Sequence, residues 1–338
     1  MSQIKNTQVL FMENPQGYPE PNKSIVHDNS HTIDPDTIPL DGGFLLKTLV
    51  VSIDPYIRTL MRFVYKRGEV IFNYGVAVVI RTEHSGVKVG DHVYGLLPFQ
   101  KYSIIPHVSQ IGSFRILKNE EKLPWSAYVG MVGMPGQTAY SGWREYANLQ
   151  KGDVVYVSSA AGPIGSFVVH LAKEAGCKVI ASAGSEAKLK FLRDIGVDVV
   201  FNYKTEDMTE VLKKEGPINL YWDNVGGETL DKAFACAAQG ATFILCGMIS
   251  TWNEAPPVMN NMGYIALNQL NVHGFTITYL LPKYEKEFYD VVPNWIASGK
   301  IKCLEEKRNG LEHASQAVYD VQVGNHTGKC VLVVSEGP

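Results

Sequence analysis

The chain has 338 residues, 45% of them hydrophobic and 19% charged, with a formal net charge of −3. That length exceeds one ordinary domain and points to two. The small net charge gives no electrostatic reason to expect nucleic acid or an anionic membrane as partner, and no apolar run reaches the roughly 18 residues that a membrane span needs.

The opening segment, MSQIKNTQVLFMENPQGYPEP, lacks an apolar signal core and carries acidic residues, which points to the cytoplasm. Cys177, Cys236, Cys246, Cys303 and Cys330 are scattered without close pairs. Such spacing argues against a disulfide framework and agrees with a reducing compartment.

Taken in chain order, the early part reads as β-rich. GGFLLKTLVVSIDPYIR predicts a strand ending in a turn at Asp54-Pro55, EVIFNYGVAVVIR a second long strand, and GVKVGDHVYGLLPFQKYSII further strands punctuated by glycine. The character changes near Pro124, where MPGQTAYSGWREYANLQKG predicts a helix ending at Gly152. Strand and helix signals then alternate through DVVYVSS, GSFVVHLAKEAG, CKVIASA, SEAKLKFLRDIG, VDVVFN, MTEVLKKEG, INLYWDNVGG, ETLDKAFACAAQG and ATFILCG. Short apolar strands separated by helices predict an α/β fold with a doubly wound parallel sheet covered on both faces. The last segment, from KIKCLEEKRNG to GKCVLVVSEGP, predicts a helix and a final β-branched strand.

The turn VSSAAGPIGS, Val157 to Ser166, joins the strand DVVYV to the helix SFVVHLAKEAG. A dinucleotide turn needs small residues to reverse tightly, to let the backbone approach a pyrophosphate, and to pack helix against strand. Ala160 serves the first role if its φ stays negative, and Gly162 and Gly165 serve the others. Alone, the pattern is equally that of an ordinary tight turn; its place between strand and helix favours a phosphate cradle. The next strand ends in Ala183, Gly184 and Ser185 rather than in the acid that binds an unphosphorylated ribose. Lys188 follows within one helical turn, where with Ser185 it suits a 2′-phosphate, so NADP(H) is the expected cofactor. The plainer reading of Lys188 is a solvated surface lysine.

Other chemistries are disfavoured. No cysteine precedes Cys177, and His84 and His92 lack partners at zinc-ligand spacing, so no metal is expected. Tyr279 and Lys283 in YLLPK match a Tyr-x-x-x-Lys pair, but Pro282 is expected to break the helix such spacing requires. Gly-x-Ser-x-Gly, His-Glu-x-x-His and Walker motifs do not occur.

VSIDPYIRTLMR, VGMPGQTAY, AAGPIGS, DVVFNYKT, WDNVGGETLD and CGMIS together resemble the zinc-independent, NADPH-dependent double-bond reductases of the medium-chain dehydrogenase/reductase superfamily, which include the prostaglandin and alkenal reductases. The resemblance runs from about residue 50 to GKCVLVV. It implies a Rossmann domain, residues 129–300, inserted in a GroES-like β-rich catalytic domain formed by residues 1–128 and a return segment, 301–338. It also implies a homodimer acting on small-molecule enals and enones.

By position, the resemblance gives Gly162, Pro163, Ile164 and Gly165 to the pyrophosphate, and Lys188 and Tyr203, beside Ser185, to the 2′-phosphate. Asn224 and a loop with Cys246, Gly247, Ile249, Ser250 and Trp252 would line the ribose and nicotinamide side. Phe275, Thr276 and Ile277 would run along the nicotinamide through backbone bonds. Met134, Thr138, Tyr56 and Tyr74 would face the reaction cleft. Trp252 stands where the family has a tyrosine, and an indole N–H donates a hydrogen bond but is no practical acid. The family's asparagine near the C-terminus, a cofactor contact, falls on His326 in GNHTGK, or on Asn325 with a one-residue slip.

The implied reaction is hydride transfer to the β-carbon of an enal or enone, with the enolate stabilised by Tyr56, Tyr74, the Trp252 indole or the cofactor ribose and then protonated. The alternatives are an NADPH quinone reductase and a catalytically weak NADPH-binding protein of the same fold.

Overall fold

The computed structural model describes residues 3–337. The chain divides into two compact units. One comprises Met1–Gly130, Glu305–His326 and Cys330–Pro338, the other Met131–Leu304 and Thr327–Lys329.

The second unit is built on a sheet in which every paired strand runs parallel to its neighbour. Its order is Val199–Asn202, Lys178–Ala183, Val154–Val157, Ile218–Asp223, Ala237–Leu245, Asn271–Gly274. Successive side chains feed two cores, as strand geometry requires. Val155, Val157, Val179, Ala181, Leu220 and Trp222 enter one, while Tyr156, Ile180, Tyr221 and Phe243 enter the other. That is why these strands read as continuously apolar.

Three local expectations change. The helix predicted to reach Gly152 spans Met134–Tyr146. A turn follows it, in which the Asp153 carboxylate accepts from Gln150 N at 2.7 Å. Ala237, expected within a helix, begins the strand Ala237–Leu245. Pro282 does not break its helix, which spans Ile277–Ala297 with Pro282 and Pro293 inside. Leu280, Tyr284, Phe288 and Val292 recur on its buried face, and that packing outweighs the missing proline N–H. Tyr279 and Lys283 are still no catalytic pair: Lys283 is ion-paired with Glu145 at 2.6 Å, and Tyr279 is 85% exposed.

In the first unit, a sheet has the order Glu305–Asn309, Lys329–Val333, Phe44–Ser52, Phe72–Thr82, His92–Pro98, Arg115–Leu117, with Tyr102–Ile105 also paired to Phe44–Ser52; from Lys329–Val333 onward the pairs are antiparallel. The C-terminal strand joins antiparallel, Val331 opposite Ser52. The strand Glu305–Asn309 had no clear signal in the sequence, because EEKRN is charged and lies at the sheet edge. Both chain ends share one core, where Val9, Phe11 and Ile25 meet Val318, Val321 and Leu332.

Candidate functional site

In the parallel sheet the strand order reverses between Val154–Val157 and Ile218–Asp223. Open α/β sheets take ligands outside the carboxyl ends of the strands at such a point. Most of the expected cofactor residues fall on the segments that leave those ends.

Gly162 caps the helix Pro163–Glu174. The left-handed residue of the preceding turn is Ser159, at φ 50°, so Ala160 keeps the negative φ its Cβ prefers. A Cβ on Gly165 would lie 2.6 Å from Ala160 Cα and 2.7 Å from Ser159 O, which makes glycine necessary for packing. A Cβ on Gly162 would meet only Ser159 O, at 3.5 Å, so the space before it is open. No side chain caps this helix. The Ile164 and Gly165 amides precede the first possible intrahelical acceptor and face outward as donors. Open space in front of aligned N–H groups at a positive helix end suits the diphosphate of a dinucleotide.

The neighbouring strand ends at Ala183, and Ser185 caps the helix Glu186–Asp194 without a side-chain bond of its own. Glu186 is held by Arg193 at 2.6 Å, away from the role of a ribose acid. A Cβ on Gly184 would lie 2.9 Å from the Tyr203 hydroxyl and 3.0 Å from Lys204 Cε. Gly184, Tyr203 and Lys204 therefore meet at one corner, with Ser185 and half-buried Lys188 leading from it. The sequence reading missed Lys204. Its signal was the lysine directly after Tyr203 in FNYKT.

Beyond the switch point, Asp223 organises two loops. Its Oδ1 accepts from Tyr221 OH at 2.6 Å, Val225 N at 2.9 Å and Gly226 N at 2.8 Å. Its carbonyl accepts from Cys246 N at 2.9 Å and Gly247 N at 3.0 Å. Burial raises the pKa of this carboxyl, whose Oδ2 has no partner among the described residues. Asp223 was also missed, although an acid before the glycine pair of DNVGG marks it.

Asn224 donates from Nδ2 to Ser158 O at 2.7 Å, and its own Oδ1 accepts from Trp222 Nε1 at 3.2 Å. Gly227 has φ 57°, and a Cβ there would lie 2.5 Å from Ser250 Oγ, so the loop carrying Ile249, Ser250 and Trp252 lies directly on the glycine turn. Burial pushes the Cys246 thiol up to about 12, which leaves it inert as a nucleophile. Phe275 packs against Gly142, where a Cβ would come within 2.6 Å of its ring. Thr276 then caps the helix beginning at Ile277, leaving backbone rather than side-chain groups at that end. Thr138 Oγ1 donates back to Met134 O at 2.8 Å, and both residues are buried.

The remaining expected residues lie in the first unit. Tyr56 precedes the helix Ile57–Phe63, and its hydroxyl donates to Asn73 Oδ1. Tyr74 stacks on Tyr94 at 5.4 Å, and its hydroxyl meets Ser113 Oγ at 3.4 Å. Burial raises both phenols above the ordinary value of 10.0. At the end of the helix Ala314–Val323, Asn325 N donates to Asp320 O at 2.8 Å, and His326 Nδ1 lies 3.4 Å from the same oxygen. Among the described residues no group of three or more His, Cys, Asp or Glu stands together to hold a metal, and no helix is long and apolar enough to cross a membrane.

Comparison with known proteins shows the family. The family described as zinc-binding dehydrogenase matches residues 163–296, and the N-terminal domain of oxidoreductase matches residues 7–111. A 2-alkenal reductase (NADP(+)-dependent) of Nicotiana tabacum is 34% identical over 98% of each chain. Prostaglandin reductase 1 of Rattus norvegicus is 34% identical over 87% of this chain and 90% of its own. The crystal structure of CurA from Vibrio vulnificus in complex with NADPH superposes with a TM-score of 0.87 at 29% identity, covering 98% of this chain and 100% of that one. With a parallel sheet of this order and relatives that match it over most of their length, the chain belongs to the NADPH-dependent alkenal double-bond and prostaglandin reductases of the medium-chain dehydrogenase/reductase superfamily.

Proposed function

We propose that the protein reduces the carbon–carbon double bond of α,β-unsaturated aldehydes and ketones with NADPH. The observation that carries this reading is the pairing of two anion sites on adjacent strand ends. One is the open turn at Gly162 with the Ile164 and Gly165 amides; the other is the corner of Gly184, Ser185, Lys188, Tyr203 and Lys204. A dinucleotide carrying an extra phosphate presents its anions in that order along a Rossmann sheet.

When bound, NADPH supplies the hydride that adds to the β-carbon of the alkene. The protein's part is positioning and electrostatics. Asn224 and the loop Cys246 to Trp252 hold the ribose and nicotinamide side, and Phe275 to Ile277 offer backbone groups to the carboxamide. His326 or Asn325 supplies a further cofactor contact. Charge developing on the substrate carbonyl oxygen needs fixed donors, each contributing roughly 3–4 kcal/mol in a dry site. Tyr74, in the first unit, and the Trp252 indole, in the second, are the side chains proposed as such donors. The enolate's proton would come from water, because an indole cannot release one, and the bound cofactor would supply a ribose hydroxyl as a further polar group there.

The protein is further proposed to act as a cytoplasmic homodimer. Its free cysteines agree with a reducing compartment. The strand Asn271–Gly274 ends the parallel sheet with Val272 exposed, an edge suited to a second copy. Loss of NADPH absorbance with a small enone, an enal and a quinone tests the activity. Turnover of the enone or enal supports the proposal; turnover of the quinone alone, or binding without turnover, refutes it.

A further inference from the structure

Tyr56 carries one hydroxyl proton, and the groups around it decide where that proton goes. Asn73 is fully buried, and its side-chain Nδ2 donates to Ser52 O at 2.9 Å and to Asp54 Oδ2 at 3.0 Å. A backbone carbonyl only accepts, and an ionised carboxylate only accepts. Ser52 Oγ donates to the same Asp54 oxygen, which marks that oxygen as an acceptor. The NH2 of Asn73 must therefore face Ser52 and Asp54, and its Oδ1 must face Tyr56. An amide oxygen has no proton to give, so Tyr56 is the donor in the bond between them.

We infer that Asn73 is a positioning residue whose Oδ1 accepts the Tyr56 hydroxyl hydrogen bond, so that Tyr56 meets its ligand as a hydrogen-bond acceptor and the enolate is stabilised by other donors. An oxyanion gains nothing from a lone pair aimed at it. Tyr56 turns its proton toward a substrate only by leaving Asn73 Oδ1 unsatisfied in a buried site. Tyr65, the next phenol along the chain, is committed in the same way, donating to Phe72 O at 2.6 Å. Tyr74 is different: its partner is the Ser113 hydroxyl, where either oxygen can donate, so the Tyr74 proton is available. Of Tyr56, Tyr65 and Tyr74, the donor role thus falls to Tyr74. This inference rests on the proposed enone reduction and refines which side chain does what in it.

The test is a double-mutant cycle on the full-length protein with NADPH and a small enone, reading kcat and KM separately. Tyr56→Phe alone is expected to raise the KM for the enone severalfold, because the accepting oxygen is lost, while lowering kcat by less than about threefold, because the hydroxyl hydrogen was never directed at the enolate. In an Asn73→Ala background the Tyr56 hydroxyl is released and turns to the substrate, so the same Tyr56→Phe change is expected to cost about tenfold or more in kcat. Equal effects in the two backgrounds, or a hundredfold loss in kcat from Tyr56→Phe alone, would overturn the inference. If Asn73→Ala does not fold, Asn73→Ser, too short to reach Tyr56, carries the same cycle.

NMR of protein labelled at the tyrosine ring carbon bearing oxygen separates this inference from the function itself. The Tyr56 signal, identified by its loss in Tyr56→Phe, is expected to shift in the Asn73 variant while the Tyr65 signal stays in place. An unmoved Tyr56 signal overturns the hydrogen bond even if enones are reduced. A shifted signal in a protein that reduces no enone upholds the hydrogen bond and defeats the catalytic assignment together with the proposed function.

Discussion

Ser158 and Asn224 join the two central strands across the sheet's switch point: Asn224 N donates to Ser158 Oγ at 3.0 Å while Asn224 Nδ2 donates to Ser158 O at 2.7 Å. The residue proposed to touch the cofactor is thereby fixed to the turn proposed to grip its phosphates. Ser158→Ala leaves the Asn224 amide without its side-chain acceptor, at a cost of about 1–3 kcal/mol. A lower melting temperature and a severalfold rise in the KM for NADPH are expected. An unchanged KM beside a lowered melting temperature would separate this link from cofactor binding.

The two glycines of the phosphate turn are expected to fail differently. Gly165→Ala drives a Cβ against Ala160 and Ser159 O, and overpacking of this kind costs about 1–3 kcal/mol. Gly162 has φ −73°, which alanine adopts freely, and its Cβ would enter open space. Gly162→Ala should therefore melt like the unaltered protein yet bind NADPH more weakly. Thermal melts and calorimetric titration distinguish the two, and weakened folding with intact NADPH binding in Gly162→Ala would count against the cradle.

At the neighbouring corner, Lys188→Ala and Lys204→Ala should each raise the KM for NADPH about tenfold or more, in line with the loss of a hydrogen bond to a charged group. The KM for NADH should barely move. Steady-state kinetics with both cofactors checks this, and equal effects on the two would remove these lysines from the 2′-phosphate.

Trp252→Tyr puts an acidic hydroxyl in place of an indole that only donates. Turnover of an enone should be preserved or raised. A large loss of kcat with NADPH affinity intact would show that the indole does more than occupy the donor position.

The region proposed to hold the cofactor stands out in the sequence because the chemistry expected of it depends on local residues. Gly162 and Gly165 announce themselves between a strand and a helix, and the missing acid after Ala183 selects the cofactor. Lys204 and Asp223 were harder. The places proposed for them come from what lies beside them in space, the Gly184 turn for one and the Cys246–Gly247 amides for the other. Pro282 misled because a propensity rule was applied to a helix whose buried face decides the matter. Asn73 was invisible for the same reason as Asp223: a strand asparagine carries no signal until its partners, Ser52, Asp54 and Tyr56, are seen around it.

The most direct measurement is the identity of the product formed from methyl vinyl ketone with NADPH deuterated at its transferring position. The predicted product is butanone carrying deuterium on the former β-carbon. Formation of the allylic alcohol, with deuterium on the carbonyl carbon, would contradict double-bond reduction outright.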